Sequence, residues 1–416
     1  MAIVLPFRAL RPAKDKVHLV ASRSVDGYQS GELKDKLASN PYTFLHVINP
    51  DFGDGRKTKA GSPERLQKVK SKFKAFVKDG VLKQDETPAY YVYKQYKSGF
   101  EYLGIIACTS IDDYINGVIK IHEQTLTQRE EKLKEYLEVC EFNAEPVLFC
   151  YPENKVLDLL LQEVSKTPPV YDFSTSDKVR HSLWLVNDGD RVKQIETQFS
   201  KMPAIYIADG HHRSASSTLL GKQRRHAKGN YTGKEAFNYY LGVFFSETQL
   251  RIFDFNRFVK DTGGMSEDTL LNKLSEKFAV NKINRPLYKP AVSHEFSMYV
   301  NGNWYALQAK PGVYLDSDPI KSLDAFILTE HILSPLFDIH DLKTDQRVGF
   351  IPGVKGPEAL KQVVDEGKAE VAFGLFPVSM QHLKWIADTH NIMPPKSTWV
   401  EPKMRSGLVI YSFEGE

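Results

Sequence analysis

The sequence predicts an α+β fold of mixed sheets with packed helices, and three observations carry that expectation. Two aromatic, β-prone runs, Ala89–Tyr96 and Tyr102–Thr109, flank a polar turn at Gln95–Gly99, which reads as a hairpin. A second hairpin spans Phe296–Gln308, where β-type residues flank Asn301-Gly302, the preferred two-residue turn. Between such strands lie helix-period segments, clearest in Pro63–Lys78, where Leu66, Val69, Phe73, Phe76 and Val77 recur on one face.

From the start, Ile3–Leu10 reads as a short strand or arm stopped by Pro12, and Gly31–Ser39 as a helix. Tyr42–Ile48 reads as a strand, with His46 a satisfied core or cleft histidine. Asp51–Ser62 is a polar loop before the 63–78 helix. Glu123–Cys140 is a charged helix, with Glu123 near its positive end, and Val147–Tyr151 is a strand leading into the helix Asn154–Val164. His181–Val186 is a strand turning at Asn187–Asp190, and Pro203–Ala208 another, with helix from Ser214 onward. Glu235–Ser246 and Gln249–Phe255 read as paired strands. Ser266 is a natural N-cap for Glu267–Phe278. Leu323–Leu336 is a helix ending near Pro335; Asp345 and Arg347 follow a turn beyond it, and the sequence does not decide whether they pair. Pro357–Glu366 and Ser379–His390 are helices around the strand Glu370–Phe376. Pro394–Pro402 is an extended loop, and Leu408–Phe413 the last strand.

The 416 residues exceed what one hydrophobic core usually holds. Three parts are expected: an N-terminal α/β lobe over 1–150, a central lobe over 151–310, and a C-terminal α/β segment over 311–416 that completes the site. A formal charge of +3 with Lys and Arg scattered among nearly equal acids argues against direct nucleic-acid binding. Cys108, Cys140 and Cys150 form no CxxC pair and no zinc spacing, and read as buried thiols of a reducing compartment. The opening Met1–Pro6 lacks the order of a signal peptide, and no apolar run reaches membrane-spanning length, so a cytoplasmic protein with no membrane partner is expected.

The strongest local signal is Ala208-Asp209-Gly210-His211-His212-Arg213. An apolar strand runs into Asp209-Gly210 and a helix begins within a few residues. Gly210 permits a sharp turn and close approach of a ligand. The helix start offers unpaired N–H groups and partial positive charge to an anion. Arg213 can grip phosphate or carboxylate in a bidentate manner. His211 and His212 can donate to phosphate or serve as acid and base. Asp209 can hold Mg²⁺ beside a phosphate or take a hydroxyl proton. The competing reading is a charged cap whose groups satisfy one another. A second cluster, Pro394-Pro395-Lys396-Ser397-Thr398-Trp399-Val400-Glu401-Pro402-Lys403, is a rigid polar loop. Lys396, Ser397, Thr398 and Lys403 are phosphate-binding candidates there, and Glu401 is a candidate base or metal ligand.

These segments also carry a resemblance. Pro6-Phe7-Arg8-Ala9-Leu10-Arg11-Pro12, Phe44-Leu45-His46-Val47, Asp113-Tyr114, His122-Glu123 with Thr125, Asp209 to Arg213, Ser334-Pro335, Thr344-Asp345 and Met393 to Trp399 occur in that order. On them the chain resembles, over its whole length, the bacterial and archaeal domain-of-unknown-function 1015 family, which brings no activity with it. The Asp-Gly-His-His-Arg turn resembles the signature of the ParB/sulfiredoxin superfamily, which includes nucleotide-binding ParB-type proteins, sulfiredoxin and free serine kinases. That likeness implies a ParB/sulfiredoxin-like core elaborated by insertions, and nucleotide phosphates held at the turn. The turn has no cysteine, which argues against sulfiredoxin chemistry. The stretch where free serine kinases carry a catalytic Glu reads Ala13-Lys14-Asp15.

The leading expectation is therefore Mg²⁺-dependent phosphoryl transfer between a nucleotide, ATP or ADP, and a small hydroxyl metabolite, with free serine or phosphoserine first. Hydrolysis of the same phosphoester is a variant. A nucleotide-binding regulatory or scaffold protein of ParB type, with little metabolite turnover, is the alternative.

Overall fold

The computed structural model describes residues 1–414. They form two compact units, each with its own sheet. The first takes residues 1–120, 125–250 and 402–414, and the second takes 121–124 and 251–401. The lobe boundaries expected at 150 and 310 fall inside these units.

Among the described residues of the first unit lies a nine-stranded mixed sheet. Its strands run in the order Ile119–Lys120, Ile205–Asp209, Val147–Tyr151, Tyr239–Ser246, Phe100–Ser110, Tyr90–Lys97, Arg180–Val186 and Tyr171–Ser174, and Val4–Leu5 pairs with Phe100–Ser110. Val147–Tyr151 is parallel to Tyr239–Ser246 and antiparallel to Ile205–Asp209. Its five residues are all buried, as a near-continuous apolar run covered on both faces should be. Phe149 stacks on Phe244 of the neighbouring strand with ring centroids 4.9 Å apart, a cross-strand aromatic pair of the kind that fixes register. The helix Lys155–Ser165 adds Leu157, Leu161 and Val164 to this core. Asn154 caps it by accepting from Leu157 N–H, a bond whose loss costs about 1 kcal/mol.

The second unit has a six-stranded antiparallel sheet in the order Phe278–Ile283, Asn303–Ala309, Glu295–Val300, Val371–Gly374, Phe255–Val259 and Val348–Pro352. Helices Glu267–Lys277, Asp324–Leu328, Gly356–Asp365 and Met380–Asp388 accompany it. Ser266 caps the first through Thr269 N–H. Asn301 and Gly302 both have positive φ, 47° and 80°, as the two-residue hairpin turn demands.

The α+β class is thus the one observed, and several elements differ from expectation. Tyr42–Ile48 holds no strand: Leu45–Ile48 is a one-turn helix with Leu45 and Val47 buried, and His46 Nε2 meets the Asn40 carbonyl at 3.1 Å. Apolar residues three apart serve a helical turn as well as a strand in so short a run. The charged helix starts at Thr127, so Glu123 lies outside its first turn. Asn187–Asp190 is no hairpin turn, because Asp188 caps a further helix, Gly189–Ser200. Tyr239–Ser246 does not pair with the following strand. It is held between Phe100–Ser110 and Val147–Tyr151, while Arg251–Phe253 pairs with Trp399–Glu401. The helix expected over 323–336 is broken into α, π and α turns, with a π turn at Thr329–Leu333. Of Leu408–Phe413, Tyr411–Ser412 is strand. No helix among the described residues is long and apolar enough to cross a membrane. All three cysteines are buried.

Candidate functional site

The Asp209 turn is built by three local devices. Strand Ile205–Asp209 pairs Ile207 with Phe149 and Asp209 with Leu148, so its register shifts by one residue next to Asp209. Such a bulge re-aims the side chains beside it. Gly210 then takes φ +105°, a conformation that L side chains rarely adopt. The 18-residue helix His211–Lys228 starts immediately, three residues ahead of the Ser214 expectation.

Around this turn the first unit gathers alternating charges. Lys403 Nζ lies 3.0 Å from Asp209 Oδ2. Arg213 folds back over Gly210, so that a Cβ there would sit 2.9 Å from its Nε. The guanidinium donates to the Pro146 carbonyl at 2.7 Å and stands 3.8 Å from Glu145 and 3.9 Å from Asp209. Ser406 donates to Glu145 at 2.6 Å, and Gln95 Nε2 donates to the Lys403 carbonyl at 3.0 Å, which anchors the segment that brings Lys403 in. Asp209, Lys403 and Arg213 keep 43%, 38% and 29% of their side-chain surface exposed, so the cluster is open to a ligand. Burial pushes the Asp209 carboxyl up, but Lys403, Arg213 and His211 outweigh it and hold it down at about 2. The carboxylate is therefore ionised at neutral pH.

The two histidines differ. His211 is buried at the start of the helix. His212 Nε2 accepts the Leu126 backbone N–H at 3.1 Å, which leaves the ring proton of the neutral form on Nδ1.

Of the residues singled out in the sequence, Asp209, Gly210, His211, His212, Arg213 and Lys403 come together in the first unit. Lys396, Ser397, Thr398 and Glu401 belong to the second. Lys396 has φ +57° and holds its ammonium 5.5 Å from the Phe255 ring. Ser397 is buried and donates to the Pro394 carbonyl at 2.7 Å. Glu401 is 2% exposed, on the short Trp399–Glu401 strand, and accepts from Trp399 Nε1 at 3.0 Å. Asp345 and Arg347 pair, with Nη2 and Oδ2 2.7 Å apart. Among the described residues no group of three or more His, Cys, Asp and Glu could hold a metal ion.

Sequence reasoning missed Glu145, Pro146 and Gln95. Glu145-Pro146 leads into the strand beside Ile205–Asp209, and that adjacency is a long-range pairing with no local signal. It also missed a cluster around the buried Arg405, His181 and Tyr93 in the same unit. Arg405 Nη2 pairs with Asp177 at 2.7 Å, Arg405 Nε donates to His181 Nε2 at 3.2 Å, and His181 Nδ1 meets Tyr93 Oη at 2.8 Å. Arg11, part of the opening motif, forms a bidentate pair with Asp85 and donates to Tyr171 Oη at 2.7 Å.

The family described as "Protein of unknown function (DUF1015)" matches residues 4–326. No curated protein matches the sequence. Among solved structures the chain is similar to a free serine kinase in complex with AMP, at 12% identity and TM-score 0.36, covering 72% of this chain and 88% of that one. It is also similar to a conserved hypothetical protein from Pyrococcus furiosus, at 12% identity and TM-score 0.35, covering 74% and 96%. C-terminally truncated SbnI from Staphylococcus aureus is similar at 13% identity and TM-score 0.37, covering 71% and 82%.

Proposed function

We propose, from the premise that this chain belongs to the DUF1015 family of proteins of unknown function, that it transfers a phosphoryl group between a nucleotide and a small hydroxyl metabolite. The observation that carries the reading is the Asp209 turn. A strand ends in an ionised carboxylate, the backbone reverses at Gly210, and an 18-residue helix opens with Arg213 folded over that turn. Phosphoryl transfer asks for positioning and charge neutralisation more than for covalent chemistry. Helix N–H groups, Arg213 and Lys403 are suited to phosphate oxygens. His211 and His212 are the adjacent donors.

Asp209 is the residue that would hold Mg²⁺ arriving on ATP or ADP, or take the proton of the metabolite hydroxyl. In either role it must exchange its ion pair with Lys403, and phosphate is the natural new partner for that ammonium. Lys396, Ser397 and Thr398, proposed phosphate contacts, and Glu401, a candidate base, belong to the second unit and are not assigned to the Asp209 site. Serine or phosphoserine is the first metabolite to test, on the likeness of the Asp-Gly-His-His-Arg turn to that of free serine kinases.

The test is nucleotide consumption with Mg²⁺ and a panel of hydroxyl metabolites, serine first, with O-phosphoserine plus ADP run in reverse. Turnover with one member supports the reading, and phosphate released to solution instead marks a hydrolase. The second reading, a nucleotide-binding regulatory protein, draws on the Asp209–Lys403 pair, since a carboxylate already neutralised needs no metal. Tight nucleotide binding without turnover on any metabolite would select it.

A further inference from the structure

Strand Phe255–Val259 lies inside the sheet of the second unit, paired on both sides. At its centre Arg257 is 0% exposed, the largest fully buried side chain among the described residues. Its guanidinium donates to two main-chain carbonyls, Phe255 and, at a long 3.4 Å, Pro395. Nε has no hydrogen-bond partner. No carboxylate forms an ion pair with Arg257 among the described residues. Asp254 supplies the opposing charge it feels, without bonding to it. Buried charges in folded proteins are paired, and one left unpaired is costly to keep.

The surroundings of Arg257 are cationic and aromatic. Its guanidinium lies 5.1 Å from the Phe350 ring. Phe255, two residues back on the same sheet face, meets Trp399 and carries the Lys396 ammonium over its ring. Pro395, whose carbonyl takes the weak Arg257 bond, lines with Pro394 a cavity of about 350 Å³ in this unit. Lys343 and His340 line it too, as do the acids Glu330 and Asp341. Both Asp341 oxygens are occupied, by Lys343 N–H at 2.9 Å and the Thr344 hydroxyl at 2.8 Å.

We propose that Arg257 is an anion-binding residue, and that a small phosphate-bearing ligand entering this cavity against the Pro394–Trp399 loop supplies its missing counter-charge. Lys396 and Lys343 are the flanking cations. The ligand replaces the long Pro395 contact with charge-assisted bonds to Nε and Nη2, the paired donors of a guanidinium fork. The inference rests on the phosphate-handling reading above and adds to it a residue hidden in the middle of a strand.

The test is thermal denaturation with pyrophosphate, ADP or O-phosphoserine, which separates nucleotide from metabolite as the source of the phosphate. The wild type should melt several degrees higher with at least one of them, because a ligand of the native state stabilises by mass action. Arg257→Met fills the same space without the charge. It should melt at or above the wild-type temperature when free, and should keep no more than about a fifth of the ligand-induced rise. A full rise in Arg257→Met overturns the inference. If Arg213→Ala then loses that rise, the phosphate-handling reading stands without Arg257. No rise in the wild type with any of the three ligands defeats both. Should Arg257→Met fail to fold, hydrogen exchange over residues 393–399 of the wild type decides. Slower exchange with pyrophosphate supports the site, and unchanged exchange overturns it.

Discussion

Lys403 Nζ and Asp209 Oδ2 are 3.0 Å apart across 194 residues of sequence. The C-terminal segment thus returns to the first unit and places an ammonium on the carboxylate at the end of the Ile205–Asp209 strand. Asp209→Asn keeps the shape and removes the charge. Under the proposed mechanism kcat should fall about a hundredfold or more, the scale of an acid–base residue, with an unchanged circular dichroism spectrum. Equal turnover by the two proteins would remove Asp209 from the chemistry. The carboxyl is held at about 2 against an ordinary value of 3.8, so its folded state binds the proton less readily than its unfolded state. Its contribution to stability is present above about pH 4 and fades as pH falls through about 2. Urea midpoints of wild type and Asp209→Asn should therefore converge as pH drops across that window.

Arg213 is the guanidinium over the turn, tied to the Pro146 carbonyl at 2.7 Å. Wild-type protein at a hundredfold excess of ADP over Kd should gain about 2.7 kcal/mol. Arg213→Ala should lose most of this, while its own free stability changes by about 1 kcal/mol, the worth of one hydrogen bond. Calorimetric titration of both proteins checks it, and an unchanged Kd in the mutant takes Arg213 out of the site.

The turn was legible in the sequence because its determinants are local: an apolar strand, a glycine, then polar residues at a helix start. The hairpin at Asn301-Gly302, the cap at Ser266 and the Pro63–Lys78 helix were legible for the same reason. Pairing between strands distant in sequence was not. Tyr239–Ser246 reads as the first arm of a hairpin, yet its partners lie 95 and 129–141 residues upstream, a choice made by burying both its faces in a mixed sheet. Lys403 and Glu401 sit two residues apart in one polar loop. One reaches Asp209 and the other is buried with Trp399 on a strand. Composition cannot separate them, because the division depends on which unit each residue joins.

Gly210 offers a sharper test of the turn. Its φ of +105° is costly for any residue with a Cβ, and that Cβ would press on the Arg213 guanidinium at 2.9 Å. Gly210→Ala should destabilise the protein by about 1–2 kcal/mol and weaken nucleotide binding by displacing Arg213. A mutant with unchanged urea midpoint and unchanged Kd would show that the tight turn is not required.

The last prediction concerns His181, which is fully buried among Tyr93, Phe173 and Arg405. Burial pulls its pKa down, Arg405 pulls it further, and Asp177 only partly opposes them, so it falls from 6.5 to about 3. The Arg405 N–H on Nε2 fixes the ring as neutral, with its proton on Nδ1 facing Tyr93. In the unfolded chain the ring protonates near 6.5, while in the folded one it does not until about 3. The unfolded state therefore binds the extra proton between those values, and stability is lost as pH falls through that window. From pH 7.5 to pH 5 the loss from this one group is about 2 kcal/mol. His181→Gln retains hydrogen bonding without a titrating ring. It should be less stable than wild type at pH 7.5, and the gap should narrow by about that amount at pH 5. Urea denaturation at the two pH values measures it. A gap of constant size would mean that His181 titrates normally in the folded protein, and that the Arg405 contact does not hold it neutral.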